Sequence, residues 1–126
     1  MTQHTWTPEE LALYRATAIR LREQDREAEK ERRKQAWIAA REAAELLRDQ
    51  FHATRVVVFG SLARESTSFT RWSDIDIAVW GLAEQDSLNA LGAVLDMNTV
   101  FEMNMVDVNV CKPAILESIA QEGIDI

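Results

Sequence analysis

The chain has 126 residues, 47% of them hydrophobic, with a formal net charge of −7 and one cysteine. That length suffices for one domain with its own core, and the lone Cys111 excludes a disulfide framework or a cysteine-built zinc site. The negative charge argues against non-specific nucleic-acid binding, which demands a basic surface, and no apolar run reaches the roughly 18–20 residues needed to span a bilayer.

In chain order, the polar N-terminus carries no signal-peptide pattern, so a cytoplasmic location is expected. Thr7-Pro8-Glu9-Glu10 predicts a helix start, with Thr7 as cap, Pro8 at the first helical position and Glu10 closing a capping box. From Glu9 to about Gln50 there is no proline or glycine. Residues 1–50 are therefore expected to form a helical extension, and residues 51–126 the main domain. Leu11, Tyr14, Ala18 and Leu21 recur at helical spacing as an apolar stripe. Arg20 to Lys34 then holds twelve charged residues in fifteen, with Glu27/Lys30 and Glu29/Arg33 at helical neighbour distance. This run shows no core face of its own. It reads as a solvated helix, or as an arm carrying the stripe, with Trp6 and Tyr14 as anchors, to another protein or a second copy. Trp37, Ile38, Ala40, Ala44, Leu47 and Phe51 restore a face that can pack on a sheet. Arg48 suits a helix end and His52 the turn after it.

Val56 to Phe59 predicts a buried strand, and Ile75 to Val79 a second, with Trp80-Gly81 closing the sheet edge. Leu82 to Met97 reads as a helix with Leu88, Leu91, Val94 and Leu95 inward, although Gly92 weakens it. Phe101 to Val110 follows as a strand, with Cys111 at its end as a small buried hydrophobe. Pro113 opens a last helix with Ile115, Leu116, Ile119 and Ala120 inward, and Gly123 stops it. Ile124 and Ile126 suggest a short final strand. The expected class is α/β (α+β), a small mixed sheet with helices on one side plus the N-terminal extension.

The chemistry concentrates between residues 56 and 110. The first strand runs into a Gly60-Ser61 turn, which offers backbone N–H groups to a phosphate because glycine lets the main chain approach closely. Asp74 and Asp76 lie one residue apart, so their side chains share a face of the second strand while Ile75 and Ile77 point into the opposite layer. Two carboxylates side by side repel each other and lose solvation, a cost usually offset by a divalent cation with oxygen ligands. Asp107 is a lone acid in another strand. If that strand lies beside the Asp74/Asp76 strand, Asp107 shares the cations, and two Mg²⁺ ions would clamp an in-line displacement on a nucleoside triphosphate.

Gly60-Ser61, Asp74-Ile75-Asp76 and Asp107 resemble the signature of the minimal nucleotidyltransferases of the polymerase β superfamily. The resemblance covers roughly Phe51 to the C-terminus. It implies a polymerase β-type sheet, ATP and Mg²⁺ as cofactors, metal ligation and catalysis by Asp74, Asp76 and Asp107, and nucleotide binding by Gly60, Ser61 and Arg64. Two departures stand out. Glu65 follows Arg64 where the family often has glycine, and twelve residues separate Ser61 from Asp74, a longer loop whose Phe69 and Trp72 suggest a lid or contact surface.

The chain resembles the antitoxin type paired with HEPN-domain ribonuclease toxins, in which AMP passes from ATP to a tyrosine hydroxyl of the toxin. Only nineteen residues follow Asp107, which leaves no helical domain for a small-molecule acceptor and favours a protein acceptor. The alternatives are a non-catalytic antitoxin acting by contact and an aminoglycoside-type nucleotidyltransferase. Arg48 and His52 do not read as a nuclease pair.

Overall fold

A single helix, α1 (Pro8–Phe51), runs for 44 residues, about 66 Å at 1.5 Å per residue. The computed structural model describes residues 4–97 and 99–126. Thr7 caps α1 as expected, its Oγ1 accepting from the Glu10 N–H at 3.1 Å. The Glu10 carboxylate reaches His4 Nε2 at 2.9 Å instead of closing the box. At the other end His52 adopts φ 60°, the left-handed conformation, and its N–H returns to Arg48 O, satisfying a terminal carbonyl.

The buried face of α1 is Ala36, Ala39, Ala40, Ala43, Ala44 and Leu47. Alanines let the helix axis lie close to the sheet, whereas Ile38 points outward. Residues 36–51 of the helix thus form the core's helical layer, and the arm proper lies before them.

Four strands form the sheet: β1 (Arg55–Phe59), β2 (Ile75–Trp80), β3 (Met103–Asp107) and β4 (Ile124–Asp125), in the order β3-β2-β1-β4. β1 pairs antiparallel with β2 and β4, while β2 and β3 are parallel. A parallel pair needs a crossover, which α2 (Ser87–Leu95) supplies. β2 is an inner strand, so Trp80-Gly81 does not close a sheet edge. Val56, Val58, Ile75, Ile77 and Val79 face α1 and α2. Val57 and Ala78 face the other way and pack under Ile119 of α3 (Pro113–Glu122), so a short helix also covers part of the second face.

Three elements differ from expectation in extent or facing. α2 begins at Ser87 after a 3₁₀ turn and buries Ala90 and Val94. Leu88 and Leu95, seven residues apart and so on one outer stripe, are exposed. β3 stops at Asp107 because Asp107 Oδ1 accepts from the Asn109 N–H at 3.0 Å, and Asp107 O accepts from the Val110 N–H at 3.1 Å. In α3 only Ile119 is fully buried and Leu116 is exposed. Gly123 ends α3 in an extended conformation. Its role is room, since a Cβ there would meet Ile119 O at 2.4 Å and Val57 Cγ1 at 2.5 Å.

The charged run of α1 is tied to the domain from residue 29 onward. Arg33 donates to the carbonyls of Leu62 at 3.3 Å and Arg64 at 3.2 Å, and also to those of Ser61 and Thr67. Arg32 donates to Phe69 O, and Glu29 accepts from the Phe69 N–H at 2.7 Å. Loop carbonyls and amides that no strand pairs find partners here. The C-terminal end of the charge run is therefore the loop's anchor while residues 20–28 are exposed as read, and Phe69 is fully buried rather than part of a lid.

Candidate active site

Asp76 lies on β2, and Asp74 immediately precedes the strand. Ile75 and Ile77, buried against the helical layer, fix the opposite facing of both acids. In the antiparallel register Phe59 pairs with Asp76, so the turn after β1 begins beside that carboxylate. Gly60 adopts φ +74°, and a Cβ there would lie 2.3 Å from Asp76 Oδ2. Both the backbone conformation and the contact demand glycine. The tightness at Gly60 thus comes from the protein's own acid. The Gly-Ser turn and the Asp pair, twelve residues apart along the loop, are one site.

β3 does not bring Asp107 to it. Asn104 stands opposite Asp76, and Asp107 opposite Val79. Three residues displace Asp107 by about 10 Å along the strand, and the odd number turns it to the other face. Asp107 is buried, holds the turn at Asn109, and lines a separate cavity with Glu84 and Ser87. The expected third carboxylate is corrected to an amide: Asn104 Nδ2 lies 3.2 Å from Asp74 Oδ2 and 3.2 Å from Asp76 Oδ1. A signal was present in the sequence, since Met103-Asn104-Met105 repeats the apolar-polar-apolar pattern of Ile75-Asp76-Ile77.

Glu122 is the second residue the sequence did not announce. It ends α3 and accepts from the Gly60 N–H at 3.1 Å through Oε1. Its Oε2 pairs with Arg64 Nε at 3.1 Å. Arg64, expected to bind the nucleotide, is paired with Glu122. Nothing local marks Glu122, because α3 and β1 meet only in the folded chain. Trp72 stands 80% exposed just ahead of Asp74, and Ser61 is half-buried.

Burial pushes the Asp76 carboxyl above its ordinary value; the Asn104 hydrogen bond opposes the rise, Asp74 adds to it, Arg64 opposes it and Glu122 adds to it. A divalent cation is the natural remedy for such a pair. Among the described residues no group of three His, Cys, Asp or Glu side chains converges as a metal site. The donor set fits one oxygen-liganded cation completed by phosphate oxygens and water, the usual habit of Mg²⁺. It does not fit the three-carboxylate cage expected for two ions.

The sequence matches the family model described as "Polymerase beta, Nucleotidyltransferase" over residues 41–126. Among curated proteins none matches the chain. Solved structures similar to it include a mutant toxin–antitoxin MntA–HpeT complex, at 19% identity and TM-score 0.55, over 68% of this chain and 70% of that one. A toxin–antitoxin with AMP-PNP is 22% identical, TM-score 0.53, over 65% and 67%. A tri-AMPylated Shewanella oneidensis HEPN toxin in complex with an MNT antitoxin gives 19% identity and TM-score 0.52, over 71% and 70%. At these identities the likeness is one of fold. The family model's match begins at residue 41, so the arm lies outside it.

Proposed function

The chain belongs to the polymerase beta nucleotidyltransferase family, and from that premise we propose that it transfers AMP from ATP to a hydroxyl, a tyrosine by preference, of a partner HEPN-type ribonuclease toxin. The observation that carries this reading is the packing of Asp76 against Gly60, which sets a carboxylate pair beside a main-chain N–H suited to a phosphate. The toxin–antitoxin character of the structural neighbours, one with AMP-PNP and one with an AMPylated toxin, supports the choice of nucleotide and acceptor.

In this reading Asp74 and Asp76 would hold one Mg²⁺, which would supply charge neutralisation for the triphosphate and the leaving pyrophosphate. Gly60 N–H and the Ser61 hydroxyl orient the phosphate chain, and Arg64 adds a cation beside it. Asn104 keeps the two carboxylates aimed together by donating to both. The protein forms no covalent intermediate. It aligns the acceptor oxygen with the α-phosphorus opposite the pyrophosphate.

The test incubates the protein, its partner toxin, Mg²⁺ and ATP labelled at the α-phosphate. Label should appear on the toxin, ribonuclease activity should fall, and the Asp74→Asn/Asp76→Asn double variant should do neither. Equal labelling by wild type and double variant would overturn the site assignment.

A specific observation favours a second reading. Asn104 stands where a third acid would take the acceptor's proton, and an amide cannot. A nucleotide-binding antitoxin that neutralises its partner by contact fits that substitution. Full neutralisation of the toxin with ATP withheld would select it.

A further inference from the structure

Two of the three groups assigned above to the triphosphate are held by one side chain. The Gly60 N–H donates to Glu122 Oε1 at 3.1 Å, and Arg64 Nε meets Glu122 Oε2 at 3.1 Å. A carboxylate bound through one oxygen to a main-chain N–H and through the other to a guanidinium has the anion-binding geometry of a phosphate. We infer that Glu122 is the affinity-setting residue of this site: in the free protein it occupies the phosphate cradle, and a triphosphate binds only by displacing it. The inference rests on the nucleotide reading of the site and adds the residue that competes with the nucleotide.

Three features make displacement a side-chain event. The backbone at Glu122 is pinned, because the Gly123 N–H bonds to Ile119 O at 2.9 Å and β4 pairs with β1 immediately after it. Arg55 locks β4 further through both carboxylate oxygens of Asp125, at 2.7 and 3.2 Å. The Glu122 side chain itself is 24% exposed, so it has a way out by rotation. The occupancy is also electrostatically exclusive. Asp76 already packs on Gly60, and Glu122 stands close enough to raise its carboxyl. A triphosphate cannot share that N–H with a second anion. When it enters, Arg64 exchanges Glu122 for phosphate oxygens and Glu122 turns to solvent.

A site whose binding-competent state is a minority shows an affinity lowered by that fraction. Removing the competing carboxylate should therefore tighten phosphate binding. Calorimetric titrations of the full chain with ATP and with inorganic tripolyphosphate, each with Mg²⁺, test this on wild type, Glu122→Gln and Glu122→Ala. Both variants should bind both probes about tenfold more tightly than wild type, the effect of a closed state populated near nine-tenths. Adenosine, which lacks phosphates, should bind all three proteins alike. Thermal melts establish that the variants are folded. Should Ala unfold, Gln keeps the shape and removes only the charge.

Equal or weaker affinity of the folded Gln variant for both probes would overturn the inference and leave Glu122 a structural acceptor for Gly60. Loss of Mg²⁺-dependent binding in the variants would also overturn it, making Glu122 a participant in the site. If wild type and variants alike fail to bind ATP and tripolyphosphate, the nucleotide reading itself falls and the inference with it.

Discussion

The Asn104 amide sits between Asp74 and Asp76 and donates to both at 3.2 Å. It lessens the repulsion of a metal-free pair and gives up the proton acceptor that a carboxylate would provide. Asn104→Asp is therefore expected to raise the rate of labelled AMP transfer, by about 10²-fold if the new acid acts as general base. The same variant should melt at a lower temperature without Mg²⁺ and recover with it. An unchanged transfer rate would show that β3 supplies no base here. Asp76 has its own signature. Its carboxyl titrates above the ordinary 3.8 because burial disfavours the charged form. The folded state thus holds that proton more tightly than the unfolded chain does. Its contribution favours folding at low pH and is lost as pH rises from about the unfolded value through the raised folded one. Asp76→Asn should gain on wild type across that window in metal-free denaturation curves and hold a constant advantage above it. Parallel curves would contradict the assignment. Gly60 faces a sharper constraint: Gly60→Ala combines φ +74° with a Cβ 2.3 Å from Asp76 Oδ2. It should cost at least about 1–2 kcal/mol in denaturant unfolding, and it should abolish Mg²⁺-dependent nucleotide binding by shifting the carboxylate.

At the scale of an element, α1 does two jobs along its length. Its alanine face from Ala36 to Leu47 covers the sheet, and one turn earlier Glu29, Arg32 and Arg33 hold the loop between Ser61 and Trp72. The Arg33 guanidinium is the hub, its side chain only 18% exposed and stacked 5.8 Å from the Phe69 ring centroid. Loop carbonyls left without that donor would need water in a half-buried place. Arg33→Ala is expected to cost about 2 kcal/mol, as for hydrogen bonds from a charged donor, and to speed proteolysis between residues 61 and 73. Arg33→Lys should recover little, since an ammonium on a flexible stem cannot reproduce the fork. If the loop resists protease equally in wild type and Arg33→Ala, the tether is not what orders it.

On the scale of the whole molecule, the sheet domain and the arm are separable in a way the helix conceals. Of the described residues before Glu29, nearly all are exposed, including Trp6, Leu11, Leu13, Tyr14, Ile19 and Leu21. Apolar area on that scale is costly in water. Deleting residues 1–28 should leave the melting temperature and nucleotide affinity of the domain unchanged, while light scattering should report weaker assembly with the proposed toxin partner or between copies. Extending the deletion through residue 34 removes the loop's anchors and should lower the melting temperature as well. Identical complexes from full-length and shortened chains would assign the arm no role in assembly.

What could be read from residues alone was local. Thr7-Pro8 starts α1 because a cap and a fixed φ act within one turn. Val56 to Phe59 and Ile75 to Val79 form strands because β-branched runs suit buried pleats. Gly60-Ser61 and Asp74/Asp76 stand out as a candidate site because paired carboxylates carry a cost that needs an offset. Among the described residues no helix is long and apolar enough to cross a membrane. Only the tertiary structure decided which acid meets which. Asn104 and not Asp107 joins the pair because the β2–β3 register is set by Met103 and Met105 packing with the core beside Ile75 and Ile77. An odd shift along a strand moves a side chain to the other face. Glu122 reaches Gly60, and Arg33 reaches Leu62, across 62 and 29 residues of sequence. Contacts at such separations depend on how whole layers dock, and no pattern within either segment encodes them.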